Sequence, residues 1–186
     1  EAQGRYGEAE PFLRREIEII ESRGLFDDSP HWLDWRRSQL AHYLGQQGRL
    51  VEAEIVAREA LLKALKRGGR ISREVAFLVN RLGTTLRYQG RYEDAEALAR
   101  AAIDIFEKAG TQPEHSSFAY THAHLAMILF AQGDWQGAVR EFDKAREANE
   151  VIGERFFASN PALSVALMKA GRTREALTML SEAYEK

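Results

Sequence analysis

The sequence predicts an all-α fold of repeated helix–turn–helix units, and three observations predict it. First, one phrase recurs: QGRYGEAEPFLRREI from Gln3, QGRLVEAEIVAREAL from Gln47, QGRYEDAEALARAAI from Gln89, QGDWQGAVREFDKAR from Gln132 and AGRTREALTMLSEAY from Ala170. Its glycines, Gly4, Gly48, Gly90, Gly133 and Gly171, are spaced by 44, 42, 43 and 38 residues, a self-similar period that marks a repeat array. Second, apolar residues between the glycines recur at offsets of three and four, as in Val75, Leu78, Val79, Leu82 and Leu86, which is the buried stripe of a 3.6-residue helix. Third, nothing alternates at period two for the length of a strand.

The elements follow in order. Glu1-Ala2-Gln3 aligns with Arg87-Tyr88-Gln89, so residues 1–24 are expected to be the second half of a unit, with a turn at Gly4 and Pro11 removing a hydrogen bond from the helix beyond it. On that alignment, and without a start methionine, the chain is expected to be a segment of a longer protein. The second unit, 29–67, starts at Ser29-Pro30, carries Trp32, Leu33, Leu40, Ala41 and Leu44 on one stripe, and turns at Gly48. Its partner helix runs from Leu50 to Lys66 through Ala53, Val56, Ala57, Ala60 and Leu61.

In the third unit, 71–109, Ser72 is the expected N-cap and Gly90 the terminator, and Tyr92, Ala95, Leu98, Ala99, Ala102 and Ile103 form the second stripe. Pro113 is expected to open the fourth unit, 113–152, whose stripes are Phe118, Leu125, Ala126, Leu129 and then Trp135, Ala138, Val139, Phe142 and Ala145. The last unit, 158–186, starts at Asn160-Pro161, has about three helical turns to Ala170, and continues from Arg172. Small residues recur where paired helices must cross: Ala41, Gly83 and Ala126 seven residues before a turn glycine, and Ala9, Ala53, Ala95, Ala138 and Ala176 five after it.

The run Leu82-Gly83-x-x-Leu86-x-x-x-Gly90-Arg91-Tyr92 and the phrase QGRYxxAE resemble a tetratricopeptide repeat, in the long-period form of the kinesin light chains. The linker LFDDSPHW from Leu25 resembles that form too. Glu16 departs from it, standing where Ala60, Ala102, Ala145 and Ala183 occur in the other units. The resemblance covers essentially the whole chain. It implies one tetratricopeptide domain over 1–186, a right-handed superhelix of antiparallel helix pairs with the first helix of each unit on the concave wall. Similar arrays are often fused to bacterial CHAT peptidases, which leaves open a sensor or regulatory arm of a larger enzyme.

Composition narrows the function. The net charge of −2 gives no field to recruit nucleic acid or an anionic membrane, and the absence of cysteine removes disulfides, thiolate metal sites and thiol nucleophiles. No apolar run approaches the ~20 residues that span a bilayer, and the polar opening EAQGRYGEAE carries no signal pattern, so a cytoplasmic location is expected. Among the five histidines, His122 and His124 point to different faces of a helix and His115 lacks a third ligand at helical spacing, so no metal and no cofactor is expected. No constellation for catalysis stands in the chain, and a non-catalytic scaffold is expected. The basic run Lys63, Lys66, Arg67, Arg70, Arg73 reads as a helix C-terminus and a solvated loop rather than a docking patch.

On the implied concave wall the first helices place a candidate peptide-binding groove: Trp35, Gln39 and His42, then Asn80, Arg81, Thr84, Arg87 and Tyr88, then Tyr120 and His124. Amides can bond a peptide backbone, arginines can grip a carboxylate bidentately, and rigid rings supply contact area. Asn80 stands where the kinesin-light-chain form has its groove asparagine. Phe77 and Phe130, on the same helices, are expected to pack into the core. The expected partner is a protein or peptide segment, acidic or carboxylate-bearing. Self-association through the array ends is the remaining alternative.

Overall fold

The structure, a computed structural model, describes residues 2–24, 31–150 and 162–184. The expected helix starts at Ser29-Pro30 and Asn160-Pro161, and the linker from Leu25, lie outside the described residues. Nine helices are described: α1 (Ala2–Arg23), α2 (His31–Gln46), α3 (Leu50–Gly68), α4 (Arg73–Tyr88), α5 (Tyr92–Lys108), α6 (Ser116–Gln132), α7 (Trp135–Ala148), α8 (Ala162–Lys169) and α9 (Thr173–Tyr184). There is no strand among the described residues. The chain forms two compact units, Glu1–Ala109 with α1 to α5 and Gly110–Lys186 with α6 to α9.

The third repeat shows how local chemistry sets the pairs. Ser72 is extended and its hydroxyl accepts the Val75 N–H at 3.1 Å, satisfying one of the orphan donors at the start of α4. At the other end Gly90 takes φ +75°, open to glycine at little cost, and the Arg91 N–H returns to Leu86 O at 3.0 Å. The chain then reverses into α5, which packs along α4. A Cβ placed on Gly83 would stand 3.2 Å from Ala95 O and 3.3 Å from Leu98 Cβ, so the crossing is as close as two backbones allow. Ala53, Ala95, Ala138 and Ala176, the small residues after each turn, are all fully buried.

Within 1–109 the apolar stripes meet as expected. Val75, Leu78 and Val79 of α4 join Ala60 and Ala64 of α3 and Ala102 of α5, with Phe77 packed against them, while Leu13 and Ile17 of α1 close on Leu40 and Leu44 of α2. Within 110–186 Phe130 of α6 meets Trp135 of α7 edge to face at 5.2 Å.

An expected turn and an expected helix start are corrected. Helix α1 runs through Gly4 to Arg23 with no turn there, since a glycine inside a helix costs only about 1 kcal/mol and does not by itself end one. Helix α6 begins at Ser116 rather than at Pro113: the His115 N–H donates to Gln112 O at 3.0 Å, making a turn, and His115 Nδ1 then caps the helix by accepting the Ser117 N–H at 3.2 Å.

The recurring phrase also has a use that its local pattern hides. Gln47 and Arg49, either side of the turn glycine, both donate to the carboxylate of Glu10 in the preceding repeat, at 3.0 Å and 2.6 Å. Gln89 and Arg91 do the same to Glu54, at 2.8 Å and 3.3 Å, and Gln89 also reaches Leu50 O at 3.1 Å. Glu10 and Glu54 stand six residues after Gly4 and Gly48, the equivalent glycines of the recurring phrase. The Gln-Gly-Arg turn of one repeat thus clasps the glutamate of the one before it.

Candidate protein-interaction site

In 1–109, α2 and α4 are the first helices of successive repeats and pack side by side. The candidate residues on these two helices fall into three groups. At the α2 start, the Arg36 guanidinium covers two rings, 4.6 Å from the Trp32 centroid and 4.9 Å from that of Trp35, which themselves lie 5.0 Å apart. Its Nη1 donates to Gln39 Oε1 at 3.0 Å and its Nη2 meets Glu16 at 2.8 Å. Trp35 and Gln39 are therefore already held by Arg36, a residue absent from the groove expected from sequence. Its position four after Trp32 was the available signal.

The second group is buried. Asn80 and Thr84 are only 4% and 6% exposed, and the Thr84 hydroxyl donates to Asn80 O at 3.1 Å. The expectation of an open Asn80 does not hold for the chain alone, since a short side chain is covered where α2 and α4 close together.

The third group is the most distinctive. The Tyr88 ring lies over Gly45, where a Cβ would touch the ring at 3.0 Å, and its hydroxyl accepts from Gln46 Nε2 at 2.6 Å. His42 stands beside it, 6.3 Å between ring centroids, and the Arg87 guanidinium lies 4.7 Å from the Tyr88 centroid. Arg81 lies 5.9 Å from the Phe77 ring. Arg81 and Arg87 are six residues apart, so they flank a strip of α4 about 120° wide, and both act on His42. Burial, then the charges of Arg81 and Arg87, push His42 from its ordinary 6.5 down to about 4. Burial also lowers Arg81 below the usual arginine range, with Tyr88 acting the other way, yet an arginine stays cationic at neutral pH.

The ion pairs of the other arginines make this group stand out. Among described arginines that are buried or half-buried, Arg14 meets Glu10 and Glu52, Arg36 meets Glu16, and Arg37 meets Asp34 and Glu21. Arg146 meets Glu175, and Arg172 meets Asp143 and Glu175. Arg81 and Arg87 are half-buried too, and neither has a carboxylate partner among the described residues; Arg87 Nε is buried with no acceptor, as are the Nε atoms of the ion-paired Arg36 and Arg146. An orphaned buried donor costs about 1–3 kcal/mol, which a ligand oxygen would recover.

The basic run is different. Lys63 meets Glu21 and Glu59 at 3.1 and 2.9 Å, and Arg67 meets the fully buried Asp34 and, at 2.6 Å, Glu74, so much of its charge is neutralised within the unit.

Tyr120 and His124 are on α6, in 110–186, where Tyr120 is 44% exposed and His124 half-buried. Their neighbour His122 turns inward. Its Nδ1 lies 2.7 Å from Glu141 Oε2, and Lys144 donates to Glu141 Oε1 at 2.8 Å. Burial alone would raise the Glu141 carboxyl, but these two partners outweigh it and hold it at about 2.

Comparison with known proteins agrees with this architecture. Tetratricopeptide repeat family models match residues 79–109 and 119–144. Those two segments match tetratricopeptide repeats, and the chain as a whole has the fold of such arrays in their kinesin-light-chain form. Among similar solved structures is BtubC (BKLC) from P. vanneervenii, with a TM-score of 0.72 and 20% identity over 99% of this chain and 74% of that one. A Podosopora anserina putative kinesin light chain with nearly identical TPR-like repeats gives 0.65 and 20% identity, over 98% and 87%. The MamA protein gives 0.55 and 15%, over 96% and 92%. No curated protein matches the chain in sequence. Tetratricopeptide repeats generally bind protein partners, and the chain is in that general sense a protein-interaction scaffold, of a fold that is typically non-catalytic. No helix among the described residues is long and apolar enough to cross a membrane.

Proposed function

We propose that this chain is a non-catalytic scaffold that holds an acidic or carboxylate-bearing segment of a partner protein on the first-helix face of residues 1–109. Arg81 and Arg87 are its charge contacts, His42, Tyr88 and Trp35 its ring surface, and Gln39, Asn80 and Thr84 its polar floor. Tyr120 and His124 are a separate contact on α6. The division into repeat units at 1–24, 29–67, 71–109, 113–152 and 158–186 belongs to the same proposal.

One observation carries the reading: in a chain whose other described half-buried arginines all meet carboxylates, the two on this face meet none. A protein that leaves two partly desolvated guanidiniums without counter-charge gains most from a ligand that brings one. The test is an array of immobilised acidic peptides with charge-neutral counterparts, followed by titration of the tightest binder. Arg81→Ala with Arg87→Ala should weaken that peptide by at least about 2 kcal/mol, the cost of truncating a desolvated charge pair. Replacing both with lysine should recover only part of the loss, since the bidentate geometry is gone. An unchanged affinity in the double alanine variant would remove the arginines from the site.

A further inference from the structure

Three features lie apart from the arginine face of α4: a cleft of about 630 Å³ walled by Arg14, Glu21 and Arg37, the exposed apolar residues Val51, Ile55 and Leu62 of α3, and the His122–Glu141 pair. In the cleft the cations are already paired, nothing shows what would cover the α3 residues, and the His122 pair is complete in itself. On the arginine face, by contrast, a histidine stands beside two cations that have no counter-charge.

We propose that His42 is the third ligand of the anion held by Arg81 and Arg87, and that it takes up a proton when the anion binds, so that recognition on this face is coupled to pH. The inference rests on the reading of Arg81 and Arg87 as anion contacts. Its basis is placement. His42 stands on α2 beside the strip of α4 that the two arginines flank, with its ring 6.3 Å from that of Tyr88 and 6.2 Å from that of Tyr43. Tyr88 is fixed by Gly45 beneath it and by Gln46 at its hydroxyl, so this wall is rigid. Helix α2 packs against α1, α3 and α4, and among the described residues of these helices the charges that lower His42 are those of Arg81 and Arg87, both of α4.

The consequence follows from linkage. With no anion present, two cations and partial burial hold the imidazole neutral down to about pH 4. An anion between the arginines cancels part of their field and supplies an acceptor for an imidazolium N–H, so the bound state has the higher histidine pKa. Affinity must therefore rise as pH falls through that bound value, and level off below the free value of about 4. Proton uptake per anion bound is greatest midway between the free and bound values, stays below one, and falls away at either end of the window; no bond other than N–H forms.

Sulfate is the probe, since it keeps its double charge throughout this pH range. The histidine signals of the labelled full chain are titrated by NMR in sodium sulfate and in sodium chloride of equal ionic strength, with His42→Gln identifying the His42 signal. In chloride the His42 midpoint should lie near 4, and in sulfate it should rise by roughly one to three pH units. For a rise of about 1.5 units, sulfate affinity should increase about fourfold between pH 7 and pH 5. His42→Gln should flatten that dependence. In the Arg81→Ala, Arg87→Ala variant the chloride midpoint should start higher and ignore sulfate. If sulfate moves the Arg81 and Arg87 side-chain signals while the His42 midpoint stays put, the histidine is not a ligand and the proposal fails, though the anion site stands. If neither responds, both readings fall together.

Discussion

Replacing Ala95 with leucine tests the helix-pair architecture where it has least slack. Ala95 is fully buried on α5, and its carbonyl oxygen would stand 3.2 Å from a Cβ on Gly83 of α4. Leucine adds three carbons at a crossing set by backbone against backbone. Were there space, burying them could stabilise by about 2 kcal/mol. Since there is none, α4 and α5 must move apart, at a cost of about 1–3 kcal/mol. For a chain of this length about 2 kcal/mol lowers Tm by roughly 4–8 °C. Ala97→Leu is the control: it adds the same atoms to the same helix at an exposed position, and should stay within about 0.5 kcal/mol of the parent. Both are followed by far-ultraviolet circular dichroism during heating at one pH. Equal melting of the two variants would mean that α4 and α5 do not cross at Gly83 and Ala95, and the packing argument would be wrong.

Two further predictions concern carboxylates. Glu54→Ala removes the acceptor of Gln89, Arg58 and Arg91 and should destabilise by about 1–2 kcal/mol in denaturant unfolding, whereas Glu93→Ala, exposed and without such partners, should not. The Glu141 carboxyl is lowered in the folded chain, from an ordinary 4.5 to about 2, so its stabilisation is complete above 4.5 and is lost as pH falls toward 2. Glu141→Gln should thus be less stable at pH 7, by at most about 3 kcal/mol, and should lose less of its remaining stability on acidification. A parent and variant with parallel stability–pH curves between pH 5 and 3 would exclude that role for Glu141.

Much of the fold could be read because its determinants are local and repeated. Ser72, Gly90, the stripe from Val75 to Leu86 and the small residues at the crossings each act within a few residues of themselves, and a pattern seen several times corrects its own noise. What escaped depends on distance along the chain. The partners of Glu10 and Glu54 lie 35 to 39 residues away, so as local sequence these glutamates read only as acids suited to a helix start. His115 escaped as a cap because histidine is not one of the residues that usually fill that place, and Pro113 nearby gave the stronger signal. At the candidate site, Arg81, Arg87 and Tyr88 could be placed on one face from helical period alone. The burial of Asn80 and the hold of Arg36 on Trp35 and Gln39 could not, because both depend on what the neighbouring side chains do in three dimensions.

The clasp of each Gln-Gly-Arg turn on an earlier glutamate bears on how this chain comes apart. In a repeat array, stability divides into what each unit has by itself and what it shares with its neighbour. The clasp belongs almost wholly to the shared part. Loss of Glu54 would therefore loosen the tie between two repeats more than it weakens either, and cooperativity would suffer before helicity. Unfolding of such a variant should broaden or split into steps, and amide exchange should separate the helices ahead of α4 from those behind it. The phrase that makes the repeat recognisable thus also joins the apolar contacts between α3 and α4 in tying the units of 1–109 together.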